Sequence, residues 1–172
     1  MRIETDRLVL RRWSKADVEG LAQLYAHPSV VAWLGPLTRE EAASKLTRDE
    51  RHWDVHGFGR FAVADIVTGG LVGRVGVMRQ PDWPETPEKD EVGWTIAAGR
   101  WGEGLATEAA AAAIADAFGR VGLQRIISWT TPDNRASLRV MEKCGLRLRG
   151  TTAWKGRDHL WCDVRATGRA AG

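Results

Sequence analysis

The sequence predicts an α/β fold, and three observations carry that expectation. Segments with strand-like patterning recur along the chain, at Arg7–Trp13, Phe58–Asp65, Leu71–Met78, Glu91–Ala97, Arg125–Thr131, Leu146–Trp154 and His159–Ala166. Helical stripes lie between them, two opened by capping-box patterns. The run Glu91–Ala97 leads through a short glycine turn, Arg100-Trp101-Gly102-Glu103-Gly104, into the alanine-rich Ala109–Ile114. The 172 residues suit one domain, expected over 1–167, with 168–172 as a loose tail.

The opening strand places Leu8 and Leu10 on one face and Val9 on the other. Ser14-Lys15-Ala16-Asp17 matches a capping box, and Val18, Leu21, Ala22 and Tyr25 repeat at helical spacing up to Pro28. His27–Leu37 holds Pro28, Gly35 and Pro36 and reads as a connection. A second capping box, Thr38-Arg39-Glu40-Glu41, starts a charged helix whose stripe is Ala42, Leu46 and Trp53 and which ends at Gly57.

The next two strands, joined through Ile66–Gly70, are expected as an antiparallel hairpin. Gln80–Asp90, with three prolines and four acidic residues around Trp83, reads as a surface loop. Beyond the glycine turn, Ala110, Ile114, Ala117, Phe118 and Val121 form one stripe that Gly122 stops. Pro132-Asp133-Asn134 supplies a turn and an N-cap for a short helix over Ala136–Cys144, and the last two strands meet about Lys155–Asp158.

Composition excludes several classes. The chain is 44% hydrophobic and 27% charged, no window resembles a membrane span, and the start lacks a secretory h-region, so a cytoplasmic protein is expected. A net charge of +3 spread over 25 basic and 22 acidic residues gives no reason to expect nucleic acid. Cys144 and Cys162 stand apart, and His52 and His56 share helical spacing without further ligands, so no metal is expected.

The glycine turn carries the functional signal. The first N–H groups of a helix have no partner within it, and Gly102 and Gly104 tolerate positive φ and close approach of a ligand. An anion is expected there. In this order and spacing, the segments Glu4–Leu8, Asp65–Gly69, Glu91–Trp94, Asn134–Ser137 and Met141–Leu146 together resemble the GNAT N-acetyltransferases, most closely the RimJ/RimL-type branch that acetylates ribosomal-protein N-termini. The resemblance spans nearly the whole chain. It implies the GNAT fold, a mixed, mostly antiparallel sheet of about seven strands flanked by about four helices.

It further implies acetyl-CoA as cosubstrate, with the pyrophosphate held by main-chain N–H groups of the turn. The family pattern (Arg or Gln)-x-x-Gly-x-(Gly or Ala) falls on Trp101-Gly102-Glu103-Gly104-Leu105-Ala106, with Trp101 in place of the usual first residue. Carried over residue by residue, the cofactor set is Thr95, Ile96, Trp101, Gly102, Gly104, Leu105, Ala106, Thr107, Asn134 and Lys143. Asn134 also reads as a plain N-cap, and Lys143 as a charge offsetting the helix dipole.

Amine acylation needs a base, oriented donors for the thioester carbonyl, and a proton for the departing thiolate. Glu91 shares a strand face with Gly93 and Thr95 and is the candidate base; a solvated structural carboxylate is the competing reading. Many family members place a tyrosine acid seven residues after the motif asparagine. Met141 stands there, so Ser137 becomes the candidate acid, beside the plain reading of a first-turn serine. Trp33 and Trp83 fall on segments read as loops that border the acceptor entrance in this fold, and Glu85, Glu88 and Asp90 would favour a cationic acceptor.

The expected activity is direct transfer of an acetyl group to a primary amine, either a protein N-terminus or an aminoglycoside, polyamine or amino acid. A non-catalytic acyl-CoA-binding module is the rival reading, and a nucleotide phosphate loop a weaker one, since no Gly-Lys-Ser/Thr follows. A homodimer is an expectation from the family alone.

Overall fold

The computed structural model describes residues 1–167; the expected tail at 168–172 lies outside the described residues. One sheet of eight strands runs in the order β1-β2-β3-β4-β5-β6-β8-β7. Its strands are β1 (Arg2–Glu4), β2 (Leu8–Arg11), β3 (Arg60–Asp65), β4 (Leu71–Arg79), β5 (Asp90–Ile96), β6 (Arg125–Thr130), β7 (Arg147–Trp154) and β8 (Arg157–Arg165). Five helices flank it: α1 (Val18–Ala26), α2 (Pro28–Leu34), α3 (Arg39–His56), α4 (Leu105–Gly119) and α5 (Arg135–Lys143).

Two elements exceed the sequence reading. β1 is three residues long and pairs antiparallel with β2. The expected connection at 27–37 contains α2, which Pro28 opens without losing a needed N–H and which Gly35 closes at φ 77°. Trp33 therefore stands on a helix rather than a loop.

Every strand pairing is antiparallel except one. β5 and β6 run parallel and register only at Glu91 and Ile127. Parallel neighbours need a crossover, and α4 provides it. Past that single register point the two strands share no further ladder pair among the described residues, although the Ser128 hydroxyl still donates to the Val92 carbonyl at 2.8 Å.

Strand alternation separates the two faces of β4 and β5. Val75, Val77, Val92 and Ile96 enter the main core with Leu105, Ala109, Ala113 and Ile114 of α4. The other face meets a second cluster, formed by Trp13, Leu21, Leu24, Tyr25, Val30, Ala42 and Leu46 with Ala62 of β3. Both capping boxes form, at Ser14/Asp17 and Thr38/Glu41.

His52 ties α3 to the end of β4. Its Nδ1 lies 2.7 Å from the Phe58 carbonyl and its Nε2 accepts the Arg79 N–H at 3.0 Å, a pairing that a neutral ring protonated on Nδ1 satisfies. Burial lowers its pKa below the ordinary histidine value. The unfolded ring therefore takes up a proton first, and its share of stability is present above about pH 6.5 and is lost as pH falls below it. Chemical unfolding followed from pH 8 to 5.5 should show this loss, and His52→Gln should flatten that part of the slope.

Candidate active site

The site is built at the seam where β5 and β6 part. Because these two strands are parallel, their C-terminal ends lie at the same edge of the sheet. The turn after β5 leads into α4 and the turn after β6 into α5, so both helices begin at that edge. Gly102 and Gly104 adopt φ 85° and 82°, the left-handed region that favours glycine. The first helical bond of α4 runs from the Glu108 N–H to the Gly104 carbonyl at 3.1 Å. Among the described residues, none accepts from the N–H groups of Gly102 through Thr107. A diphosphate fits such a row of free donors.

Side chains fix this turn from behind. Glu108 accepts from the Thr5 hydroxyl at 2.6 Å, the Arg7 N–H at 3.0 Å and Arg7 Nε at 2.8 Å. Arg7 Nη1 donates to the Glu103 carbonyl at 2.9 Å, and Arg100 joins Glu103 to Asp65. The Trp101 indole, half-exposed, donates to the Ile96 carbonyl at 2.7 Å and so closes the end of β5. Leu105 is buried in the main core, leaving only its backbone toward the turn. Across the seam, Asn134 caps α5 by accepting the Ser137 N–H at 3.1 Å; Lys143 is exposed at the far end of that helix. Met141 is buried in the main core, so the position of the missing tyrosine faces away from solvent.

On the face toward α1 and α3 lies a layer of buried charge. Glu91 and Thr95 of β5 are both under 10% exposed. Glu91 Oε2 accepts from Arg60 Nη2 at 2.6 Å, while Oε1 takes no hydrogen bond from the described residues. A Cβ on Gly93 would stand 2.6 Å from Glu91 Oε1 and 2.9 Å from Arg60 Nη2, so this ion pair requires glycine there. Arg74 Nε donates to Asp49 Oδ2 at 3.0 Å and its Nη1 to the Tyr25 hydroxyl at 3.1 Å. Burial opposes the charge on Arg60, yet Glu91 and Asp49 hold its pKa above the ordinary value; burial and the Arg60 charge push Arg74 down.

The sequence reading does not single out Arg60, Arg74 or Asp49, and it places Tyr25 only on the α1 stripe. Arginine inside the apolar runs of β3 and β4, and Asp49 on the buried stripe of α3, are the available signals, because a charge in such a place needs a partner.

Two expectations are corrected. Trp83 is 1% exposed and does not border an entrance: its indole stacks on Trp129 at 4.5 Å and 10°, with Trp154 and Trp161 edge-on. The proline-rich loop folds back onto β6 and β8 because these four rings bury one another. The acidic residues of that loop are also engaged, Glu85 with Thr152, Glu88 with Arg125 and Asp90 with Arg79, so they present no free carboxylate cluster to a cationic acceptor. Cys144 is unsuited to nucleophilic work, since burial pushes its thiol up to about 11. No group of three potential metal ligands occurs among the described residues, and no helix there is long and apolar enough to cross a membrane.

The profile described as acetyltransferase (GNAT) domain matches residues 7–147. The chain belongs to the GNAT acetyltransferase family. An uncharacterised N-acetyltransferase of Bacillus subtilis, YoaA, is 25% identical over 86% of this chain and 84% of its own. The FsC-acetyl coenzyme A-N(2)-transacetylase of Aspergillus fumigatus is 32% identical over 84% of this chain and 64% of its own. The acetyltransferase structure from Agrobacterium tumefaciens is 28% identical, superposes with a TM-score of 0.82, and covers 96% of this chain and 94% of that one. As a GNAT enzyme the chain is an acetyl-CoA-dependent acyltransferase.

The tryptophan cluster yields a direct test. Trp83→Ala should cost about 3–5 kcal/mol of stability in urea unfolding, the range for removing a buried large aromatic. A role at the acceptor entrance would instead raise the acceptor KM with stability unchanged.

Proposed function

We propose that this GNAT enzyme acetylates a primary amine by direct transfer while both substrates are bound. The observation that carries the reading is the row of unpartnered N–H groups from Gly102 to Thr107 at the edge where β5 and β6 part. In this reading those groups hold the pyrophosphate, with Asn134 and Lys143 on the pantetheine and phosphate arms, and Thr95 and Ile96 lie along the arm. Acetyl-CoA supplies an activated acetyl thioester.

The chain's own residues supply the rest. Glu91 accepts the amine proton through Oε1, directly or by one water, while Arg60 fixes Oε2. Main-chain donors of β5 orient the thioester carbonyl. Ser137, whose side chain makes no hydrogen bond among the described residues, is the candidate proton donor to the departing sulfur. Loss of Ser137 is expected to slow turnover without abolishing it, because a thiolate leaves without a strong acid.

Two acceptor classes fit this chemistry, a protein N-terminus and a small primary amine. The RimJ/RimL-like motifs favour a protein N-terminus, with exposed Trp33 of α2 as a contact. Calorimetric titration with acetyl-CoA, with ATP as control, tests the cofactor site; transfer to peptides and to small amines tests the acceptor. Micromolar or tighter acetyl-CoA binding with ATP much weaker is expected. Binding without amine-dependent CoA release would mean an acyl-CoA-binding module instead.

Two substitutions separate the assigned roles. Glu91→Gln should lower kcat by about 10²–10⁴-fold, the usual share of a general base. Arg7→Ala frees the back of the glycine turn and should raise the acetyl-CoA Kd about tenfold, or about 1.4 kcal/mol, with a smaller change in kcat.

A further inference from the structure

The buried layer beneath Glu91 is unbalanced in charge. Arg74 pairs with Asp49 and Arg60 with Glu91, which uses both carboxylates. A third cation, Lys45, stands one helical turn before Asp49 with its ammonium 5.6 Å from the centre of the Tyr25 ring. Among the described residues Lys45 has no salt-bridge partner. Neighbouring Glu41 is committed elsewhere, its carboxylate accepting the Thr38 N–H at 2.8 Å in the capping box of α3. Arg48 adds a fourth positive charge, 4.0 Å from Asp49 and mostly exposed.

Two buried polar atoms of the layer lack a hydrogen-bond partner among the described residues: Asp49 Oδ1, which Arg48 Nε approaches to 4.0 Å, and Arg60 Nε. An unmade hydrogen bond at a buried charged donor is costly, so an anionic partner at this place would be favoured. Beside Lys45 a hollow of about 380 Å³ opens between Leu37, Glu41, Ser44 and Arg48. The hollow is open to solvent, and four of its lining residues lie on α3.

The layer therefore holds more cations than carboxylates, with Lys45 unpaired at its edge among the described residues. Resting on the acetyltransferase reading above, we propose that the acceptor is a small primary amine carrying a carboxylate, which Lys45 receives with Arg60 and Arg74 behind it. Of the four cations facing Glu91 and Asp49, Lys45 is the one without a salt-bridge partner among the described residues.

The same arrangement sets a pH response. Burial, with the charges of Arg74, Arg60 and Arg48, brings Lys45 down to about 7, while Asp49 pulls the other way; Tyr25 of α1 and Glu41 of α3 also stand beside it. Affinity for a carboxylate should fall as pH rises through that value, since Lys45 then loses its proton.

The test is a set of α- and ω-amino acids, each beside its own carboxamide, assayed for CoA release with acetyl-CoA. For the preferred pair, the free acid should exceed its carboxamide at least tenfold in kcat/KM. Lys45→Gln should raise the KM of the acid at least tenfold with kcat within threefold, and should leave the carboxamide unchanged. Lys45→Arg should keep the preference and move its loss to higher pH. Calorimetric binding of the preferred acid to the CoA-bound protein should weaken from pH 6 to 8 in the natural chain and stay level in Lys45→Arg. Equal use of acids and carboxamides, preference for peptides over free acids, or an equal loss for both in Lys45→Gln overturns the proposal while leaving the acetyltransferase reading intact. No transfer to any amine by a protein that binds acetyl-CoA overturns both.

Discussion

The structure depends on one parallel pairing in a sheet otherwise antiparallel. An antiparallel neighbour can be reached by a tight turn, but placing β6 beside β5 in the same direction requires a crossover, and α4 is that crossover. The requirement puts a helix start directly after β5, with its N–H groups unpaired, and brings the start of α5 to the same edge. It also leaves a seam: the strands register at Glu91 and Ile127 and make no later ladder pair. Anion cradle, open strand edge and candidate base are thus consequences of one topological choice rather than separate inventions.

The second constraint is the layer of charge under α3. Burying an ion pair brings little net stability, because desolvation offsets much of the attraction, and breaking one is expensive. Arg74 with Asp49 and Arg60 with Glu91 are therefore better understood as devices that fix geometry than as sources of stability. Arg60 holds one oxygen of Glu91 and leaves the other free, and Gly93 gives up its side chain so that this can happen. Asp49 and Tyr25 hold Arg74 from two helices, which locks α1 and α3 to β4 at the floor of the same site.

What was legible in the sequence was local. The capping boxes at Ser14 and Thr38, the positive-φ glycines at 102 and 104, and the Asn134 cap each depend on residues within three or four positions, and each forms as read. What was not legible was either very short or long-range. β1 offers three residues and α2 only seven, between a proline and a glycine that also mark loops. The burial of Trp83 is decided by Trp129, Trp154 and Trp161, which lie far along the chain. The ion pairs of the site join residues 31 and 25 positions apart, so no window of sequence displays them.

The strand order also divides the chain into two consecutive halves. β1 to β5 pair only with sequential neighbours, and β6, β8 and β7 form a second antiparallel unit. The seam between them is fastened by the Trp83–Trp129 stack, the Arg125–Glu88 pair and the Ser128 hydroxyl on the Val92 carbonyl. In the proposed reading, a cosubstrate lodged at this seam acts as a rivet. Occupancy and cooperative unfolding are then linked by mass action, and amide exchange along β5 and β6 reports how fully the two halves behave as one foldon.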